Sequence, residues 1–189
     1  MKIEVNGNTL MLTVGDITKQ TTEAIVNAAN GTLLGGGGVD GAIHRAAGPE
    51  LLEECKQIRN EQLQGEELPT GDAVITKGYN LRARYVIHTV GPVWQGGAHN
   101  EETLLANCYK NSLKLAQEYK LTSIAFPSIS TGVYRFPVKR AAQVALSTIV
   151  EVLDTHSVGE VMMTLFSEED YIVYARALRS ISEDAGYEL

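Results

Sequence analysis

The sequence predicts an α/β fold in which helices cover both faces of a mostly parallel sheet. Short β-branched and apolar runs alternate with helical patterns along the chain, and neither a long linker nor an internal repeat interrupts them. Strands that alternate with helices in this way favour a parallel sheet covered on both sides. The chain has 189 residues, a length typical of roughly one domain. We therefore expect residues 1–189 to form a single domain.

Strands are predicted where a short apolar or β-branched run closes on glycine, asparagine or proline. Runs of this length suit buried strands, although a turn of buried helix gives the same pattern. The predicted strands are 9–14, 24–28, 72–77, 85–90, 123–126 and 160–166. In a parallel sheet the ligand lies at the carboxyl ends of the strands, so the loops after these runs are the candidate site.

Helices are predicted where apolar residues recur three or four positions apart, with glycine or proline at the ends. The span 101–119 is the clearest of them, and Pro49 suits the first turn of the helix that follows Gly48. The predicted helices follow the glycines at 35–38, run from Pro49 to about Arg59, span 101–119, start at Pro137, and run from Glu168 to about Ser182.

The composition excludes several classes of protein. Hydrophobic residues make up 44% and charged residues 21%, which is typical of globular rather than disordered chains. Sixteen Lys and Arg against 23 Asp and Glu give a net charge of −7, so we expect no nucleic-acid partner. Cys55 and Cys108 do not form a disulfide framework, which indicates reduced thiols in a cytoplasmic chain. No signal peptide is visible and no run reaches about 18 apolar residues, so we expect no membrane association.

The residues typical of metal and nucleophile sites show no suitable pattern. His44, His88, His99 and His156 lack metal-ligand spacing, and His88 on a predicted strand is expected to be a hydrogen-bonded core histidine. The chain contains no G-x-S-x-G nucleophile elbow. We therefore expect neither a metal ion nor a cofactor.

The segment 27–41 is the strongest candidate for a ligand loop. Its four glycines at 35–38 would let backbone N–H groups approach an anion at the positive end of the following helix; a mobile linker is the alternative. Positions 36–41 match G-x-G-x-x-G, but no acidic residue follows at the end of a second strand. A dinucleotide-dependent oxidoreductase is therefore disfavoured. A P-loop is excluded as well, because Gly37 stands where lysine is required.

Other strand-end residues could contact the same ligand. The segment 128–136 is rich in small hydroxylated residues, and its Tyr134 and Phe136 offer aromatic faces to a sugar or base; a plain surface turn is the alternative. Asp16 either caps a helix or accepts a hydrogen bond from an amine such as that of adenine. Asp40 beside an anion loop would repel the ligand, which indicates a chemical task, although it too could cap the helix.

Three motifs follow one another along the chain. They are Gly15-Asp16-Ile17-Thr18, then Asn27-Ala28-Ala29-Asn30 with Gly35-Gly36-Gly37-Gly38-Val39-Asp40-Gly41, then Ser130-Thr131-Gly132-Val133-Tyr134. From about residue 10 to about residue 178 the chain resembles the macro domain family, specifically its MacroD-type ADP-ribose hydrolases. The resemblance implies a three-layer α/β/α sandwich around a mixed, mostly parallel sheet, with ADP-ribose bound across the strand ends.

The resemblance also implies roles for individual residues. Asp16 would bind the adenine amino group, Ile17 would offer backbone contacts to the same base, and Phe166 would cover it. Asn30 and Asp40 would lie by the distal ribose as the catalytic residues. The residues expected to hold the diphosphate from either side are Gly36, Gly37, Gly38 and Val39, and Ser130, Thr131, Gly132, Val133 and Tyr134.

The activity implied by the resemblance is hydrolysis of ADP-ribose esters. A water oriented by Asp40 would attack the ester carbonyl of O-acetyl-ADP-ribose, or the ester that joins ADP-ribose to a protein carboxylate. The expected partners are therefore ADP-ribose, O-acetyl-ADP-ribose and mono-ADP-ribosylated proteins. A substrate phosphate could be the base instead, and a non-catalytic ADP-ribose reader is the alternative to an enzyme. Two residues depart from the family pattern: Arg135 follows Tyr134 where glycine is common, and Gly31 follows Asn30 where Ser or Pro is frequent.

Overall fold

The computed structural model describes all 189 residues. Seven strands form one sheet in the order β1-β2-β7-β6-β3-β5-β4. The strands are β1 (Lys2–Val5), β2 (Asn8–Val14), β3 (Ala24–Ala29), β4 (Ala73–Lys77), β5 (Tyr85–Val90), β6 (Ser123–Phe126) and β7 (Glu160–Leu165). The helices are α1 (Gly38–Ala47), α2 (Pro49–Glu61), α3 (Glu101–Glu118), α4 (Val138–Thr155) and α5 (Glu168–Ala185).

The five inner strands are parallel, and the two edge strands make the sheet mixed. Strands β2, β7, β6, β3 and β5 run in one direction. Strand β1 pairs with β2, and β4 pairs with β5, in the antiparallel sense. The prediction of a mixed, mostly parallel sheet is confirmed. The five inner strands therefore all end at the same edge of the sheet, where their loops gather.

Two apolar cores, one on each face of the sheet, hold the helices. Neighbouring residues of a strand point to opposite faces. Ile25 of β3 accordingly packs with Leu51 and the other buried residues of α1 and α2, whereas Val26 packs with Leu105 and the residues of α3, α4 and α5. The three-layer α/β/α sandwich is therefore confirmed.

Strand β1 is an element that the sequence analysis did not predict. Asn6 and Gly7 adopt positive φ angles of 49° and 81° and form a two-residue turn that pairs Val5 with Asn8. Asn-Gly is the typical two-residue hairpin turn, so the signal for β1 is present in the sequence. Strand β7 ends at Leu165, one residue earlier than predicted. No helix combines the length and the apolar character that a membrane-spanning segment needs.

Candidate functional site

The loops after the parallel strands meet at one edge of the sheet, as the sequence predicts. The loop after β5, which the sequence analysis did not single out, lies among them. The backbone N–H of Trp94 in that loop donates to the carbonyl of Tyr134 at 2.8 Å. A β-carbon on Gly91 would lie 2.2 Å from Ser130 Oγ, so the two loops are in close contact. The structure therefore adds the loop between β5 and α3 to the candidate site.

The glycines before α1 form a defined helix entry rather than a linker. Gly35 and Gly38 have positive φ angles of 86° and 56°, which favour glycine, whereas Gly37 is the N-cap with φ −93°. A β-carbon on Gly41 would lie 2.5 Å from the carbonyl oxygen of Gly36, so the first turn of α1 packs directly against the loop. Gly36, Gly37 and Gly38 are exposed, and no side chain caps the helix. The positive end of α1 is therefore open to an anion.

Asn30 holds the shape of this loop. Its Nδ2 donates to the carbonyl of Gly35 at 2.8 Å, and its Oδ1 accepts from the backbone N–H of Thr32 at 3.2 Å and from the Thr32 hydroxyl. Its amide nitrogen also reaches Gly36, since a β-carbon there would lie 3.0 Å from Nδ2. The same β-carbon would lie 3.1 Å from Asp40 Oδ2. The structure thus brings Asn30 and Asp40 together against one exposed glycine.

Asp40 is a buried carboxylate and not a helix cap, so the capping alternative is wrong. It is the third residue of α1, and the residue is only 5% exposed. Asn27 Nδ2 donates to its Oδ1 at 2.8 Å, and His44 Nε2 lies 3.4 Å from the same oxygen. Burial raises the pKa of Asp40, while the hydrogen bond from Asn27, the charge of His44 and the backbone N–H of Asn30 oppose that rise.

Asp16 is the N-cap of a short 3₁₀-helix, Ile17–Lys19, which is one of the two roles predicted for it. Its Oδ1 accepts from the Thr18 hydroxyl at 2.7 Å and from the Thr18 backbone N–H at 2.9 Å. These two hydrogen bonds lower the pKa of Asp16. Ile17 is buried, whereas Phe166, in the loop after β7, is 88% exposed.

The loop between β6 and α4 is hydrogen-bonded to α5 through Ser128 and Tyr174. Ser128 Oγ lies 2.6 Å from the Tyr174 hydroxyl and 2.9 Å from Thr131 Oγ1. Ser130 has a positive φ of 69°, and its hydroxyl is buried without a partner. Val133 projects outward and is 91% exposed. The loop therefore has a fixed inner side and an open outer side that includes Thr131, Gly132, Val133 and Tyr134.

The predicted role of Phe136 as an aromatic face for the ligand is wrong. Phe136 is only 1% exposed, and its ring packs against Trp94 with centroids 4.8 Å apart. Its neighbour Arg135 is exposed with a φ of 61°, a conformation that favours glycine. This positive φ angle explains why glycine, which is common at this position in the family pattern, suits the place where this chain has arginine. Tyr134 alone keeps a partly exposed ring in this loop.

Sequence reasoning placed His88 correctly in the core but missed what lies around it. His88 is 1% exposed and contacts Asn27 Nδ2 at 3.1 Å and Thr76 Oγ1 at 3.0 Å. Burial lowers the pKa of His88 to about 3. Asn27, His44 and Thr76 thus surround Asp40 and His88 with polar groups. No three His, Cys, Asp or Glu side chains lie close enough together to hold a metal ion.

Comparisons with known proteins point to one family. The model of the macro domain family matches residues 26–145. The O-acetyl-ADP-ribose deacetylase of Escherichia fergusonii is 56% identical over 165 residues, which are 87% of this chain and 92% of that protein. The solved Oceanobacillus iheyensis macrodomain with ADP is 58% identical, with 97% of each chain covered and a TM-score of 0.95.

A more distant solved structure has the same fold. The Trypanosoma brucei macrodomain in complex with ADP-ribose is 42% identical, with 89% of this chain and 68% of that chain covered and a TM-score of 0.81. The family model covers more than half of this chain, and the Escherichia fergusonii relative matches most of the length of both proteins. This chain belongs to the macro domain family.

Proposed function

We propose that this chain binds ADP-ribose across the carboxyl ends of its parallel strands and hydrolyses ADP-ribose esters. The observation that carries the proposal is the convergence of Asn30 and Asp40 on Gly36, at the open positive end of α1. An anion held at a helix N-terminus needs no carboxylate beside it. A buried carboxylate at that position is unfavourable for binding the anion. A carboxylate kept there therefore points to chemistry. The names of the relatives, a deacetylase and macrodomains with ADP or ADP-ribose, support the same substrate.

The loops supply a subsite for each part of the ligand. In this proposal the backbone of Gly36, Gly37, Gly38 and Val39 contacts the diphosphate from one side, and Ser130, Thr131, Gly132, Val133 and Tyr134 contact it from the other. Adenine lies between Phe166 and Asp16, with Ile17 offering its backbone. The Asp16 oxygen that caps Thr18 is engaged, so an adenine amino group would use the other oxygen. The distal ribose then lies by Asn30 and Asp40.

Asp40 orients the water that attacks the ester carbonyl. Water adds to the carbonyl carbon, the bond between that carbon and the ribose oxygen breaks, and the ribose oxygen leaves as a hydroxyl. Burial raises the pKa of Asp40, which makes its carboxylate a better proton acceptor than an ordinary aspartate. Positioning supplies most of the effect, because an aspartate remains a weak base. A phosphate oxygen of the substrate is the other group that could take the proton.

The same site suits an ester on a protein as well as an acetyl ester. Leu34 and Val93 are each about half exposed, and Val133 is almost fully exposed. All three stand on loops at the edge where the parallel strands end. Exposed apolar side chains around a site favour contact with a macromolecule. We therefore include mono-ADP-ribosylated carboxylates of proteins among the proposed substrates.

The test is release of free ADP-ribose from two substrates. The protein is incubated separately with O-acetyl-ADP-ribose and with a protein carrying mono-ADP-ribose on acidic side chains, and free ADP-ribose is quantified. Release from the acetyl ester is the expected result, and release from the protein supports the wider substrate range. A protein that binds ADP-ribose and releases none from either ester would be a reader, and the hydrolase proposal would be withdrawn.

A further inference from the structure

A row of buried polar side chains lies behind Asp40, and the proposed reaction does not use it directly. Asn27 Nδ2 is 2.8 Å from Asp40 Oδ1 and 3.1 Å from His88 Nδ1. His88 Nε2 is in turn 3.0 Å from Thr76 Oγ1. Asn27, His88 and Thr76 are each no more than 2% exposed. The row therefore crosses the sheet from β4 through β5 and β3 and ends at the carboxylate.

With Asp40 ionised, the donors and acceptors of this row permit one arrangement of protons. An ionised Asp40 only accepts, so Asn27 must turn its amide nitrogen toward it. The second hydrogen of that nitrogen points at His88 Nδ1, which must therefore be unprotonated. A neutral imidazole then carries its proton on Nε2, which donates to Thr76 Oγ1. Complete burial favours this neutral ring.

Something must hold the Asn27 amide in this orientation. Its Oδ1 is buried without a hydrogen-bond partner, which is unfavourable for a carbonyl group. Asp40 favours the orientation only while it is ionised, because a protonated carboxyl could donate to Oδ1 of a flipped amide. The Thr76 hydroxyl donates to the carbonyl of Val86 at 3.5 Å, so its oxygen accepts from His88 Nε2–H, and His88 Nδ1 is left as an acceptor whether Asp40 is ionised or not. It therefore fixes the amide through the protonation changes of Asp40.

We infer that His88 is a positioning residue for the proposed hydrolysis, because its unprotonated Nδ1 fixes the Asn27 amide that holds Asp40. This inference rests on the proposed function. Removing the acceptor frees the amide to flip, which takes an N–H from Asp40 and raises the pKa of that carboxyl further. The other titratable groups that face this row are His44 on α1, 3.4 Å from Asp40, and Cys55 on α2, whose Sγ lies 3.9 Å from His88 Nε2. Burial raises the pKa of the Cys55 thiol to about 12, so it stays protonated.

Nitrogen NMR of the wild-type protein tests the proton arrangement without any activity. The His88 ring should be a neutral Nε2–H tautomer between about pH 5 and about pH 8, the range in which ordinary histidines titrate. A proton on Nδ1, or an imidazolium in this range, would overturn the inference. This measurement needs no variant and remains decisive if the enzyme releases no ADP-ribose.

Two substitutions and a control then test the consequence for Asp40. His88→Leu removes the acceptor, whereas His88→Asn places an amide oxygen near the former position of Nδ1. Ile87→Val alters the neighbouring core residue on the other face of β5. In His88→Leu, kcat should fall between about tenfold and about a hundredfold with KM unchanged, the scale of a small misplacement of a reacting group. His88→Asn should restore most of kcat, and Ile87→Val should leave it unchanged.

The pKa of Asp40, followed by carbon NMR of its carboxyl group, separates positioning from loss of packing. It should be higher in His88→Leu than in the wild type and close to the wild-type value in His88→Asn. An unchanged pKa of Asp40 in His88→Leu would overturn the inference, as would equal losses of kcat in both His88 variants. If the wild-type protein hydrolyses neither ester, the proposed function fails, while the tautomer and the Asp40 titration still decide whether His88 fixes the amide.

Discussion

Asn30 and Asp40 both lie against Gly36, on the side where any other residue would carry its β-carbon. A β-carbon on Gly36 would be 3.0 Å from Asn30 Nδ2 and 3.1 Å from Asp40 Oδ2. Both distances are short for a carbon atom next to a polar one. The absence of a side chain at Gly36 therefore permits the amide and the carboxylate to face the same space.

Gly36→Ala should displace this pair. The φ angle of Gly36 is not positive, so alanine fits the backbone and its methyl group must push Asn30 and Asp40 aside. We expect turnover of O-acetyl-ADP-ribose to fall about tenfold or more, because misplacement of reacting groups is costly. Gly37→Ala adds the same methyl group at the proposed diphosphate subsite, where a β-carbon meets nothing within 4 Å, so it should affect KM and leave kcat unchanged. Equal values of kcat in the two variants would show that the approach at Gly36 does not matter for turnover.

The pH profile of hydrolysis should report the raised pKa of Asp40. The carboxylate must be ionised to orient water, so activity is lost as the pH falls through its pKa. Burial raises that pKa above the usual value of 3.8, so the acid limb should lie at a higher pH than for an ordinary aspartate. The check is kcat/KM against pH in the wild-type protein. An acid limb at or below the usual aspartate value would contradict the role of Asp40.

Stability should decrease in acid partly because of His88. Burial lowers its pKa from 6.5 in the unfolded chain to about 3 in the fold, so the folded state favours the neutral ring. Below pH 6.5 the unfolded chain binds a proton on His88 that the folded state does not. The free energy of unfolding is therefore unaffected by His88 above pH 6.5 and decreases as the pH falls from 6.5 towards 3. Urea unfolding at a series of pH values should show a steeper loss for the wild type than for His88→Asn. Parallel curves would mean that His88 does not titrate as described.

Tyr174→Phe should loosen the loop between β6 and α4. The tyrosine hydroxyl contacts Ser128 Oγ at 2.6 Å, and Ser128 contacts Thr131. The substitution keeps the buried ring and removes one hydrogen bond, which is worth about 1 kcal/mol of stability. We expect ADP-ribose to bind more weakly, as measured by calorimetry, with kcat little changed. A loss of kcat with unchanged affinity would show that this loop does not serve the diphosphate.

The fold could be predicted from local patterns because the central strands β3, β5 and β6 are buried on both faces. Tyr85–Val90 and Ser123–Phe126 have the predicted bounds, since β-branched or apolar runs end there at glycine or proline. The convergence of the ligand loops also follows from the sequence, because parallel strands end at one edge. Asn30 and Asp40 come from that prediction together with the family resemblance.

The remaining features depend on contacts between distant parts of the chain. Asn27 lies beside His88 only because of the register between β3 and β5, which no local pattern specifies. The burial of Phe136 depends on Trp94 from another loop. That loop is in turn held by Glu101, which accepts hydrogen bonds from three backbone N–H groups at 2.5–2.9 Å. Such contacts arise from the packed structure, so sequence analysis could not find them.

Asp40→Ala tests the central claim, that a carboxylate beside an anion site is there for chemistry. The measurement is turnover of O-acetyl-ADP-ribose together with the dissociation constant for ADP-ribose, in a variant whose circular dichroism confirms the native fold. Turnover should fall by at least about 10²-fold, the scale of a positioned acid–base group. Affinity should stay similar or improve, because a negative charge near the ligand is removed. Wild-type turnover in Asp40→Ala, or a loss of binding that accounts for the whole effect, would contradict the claim.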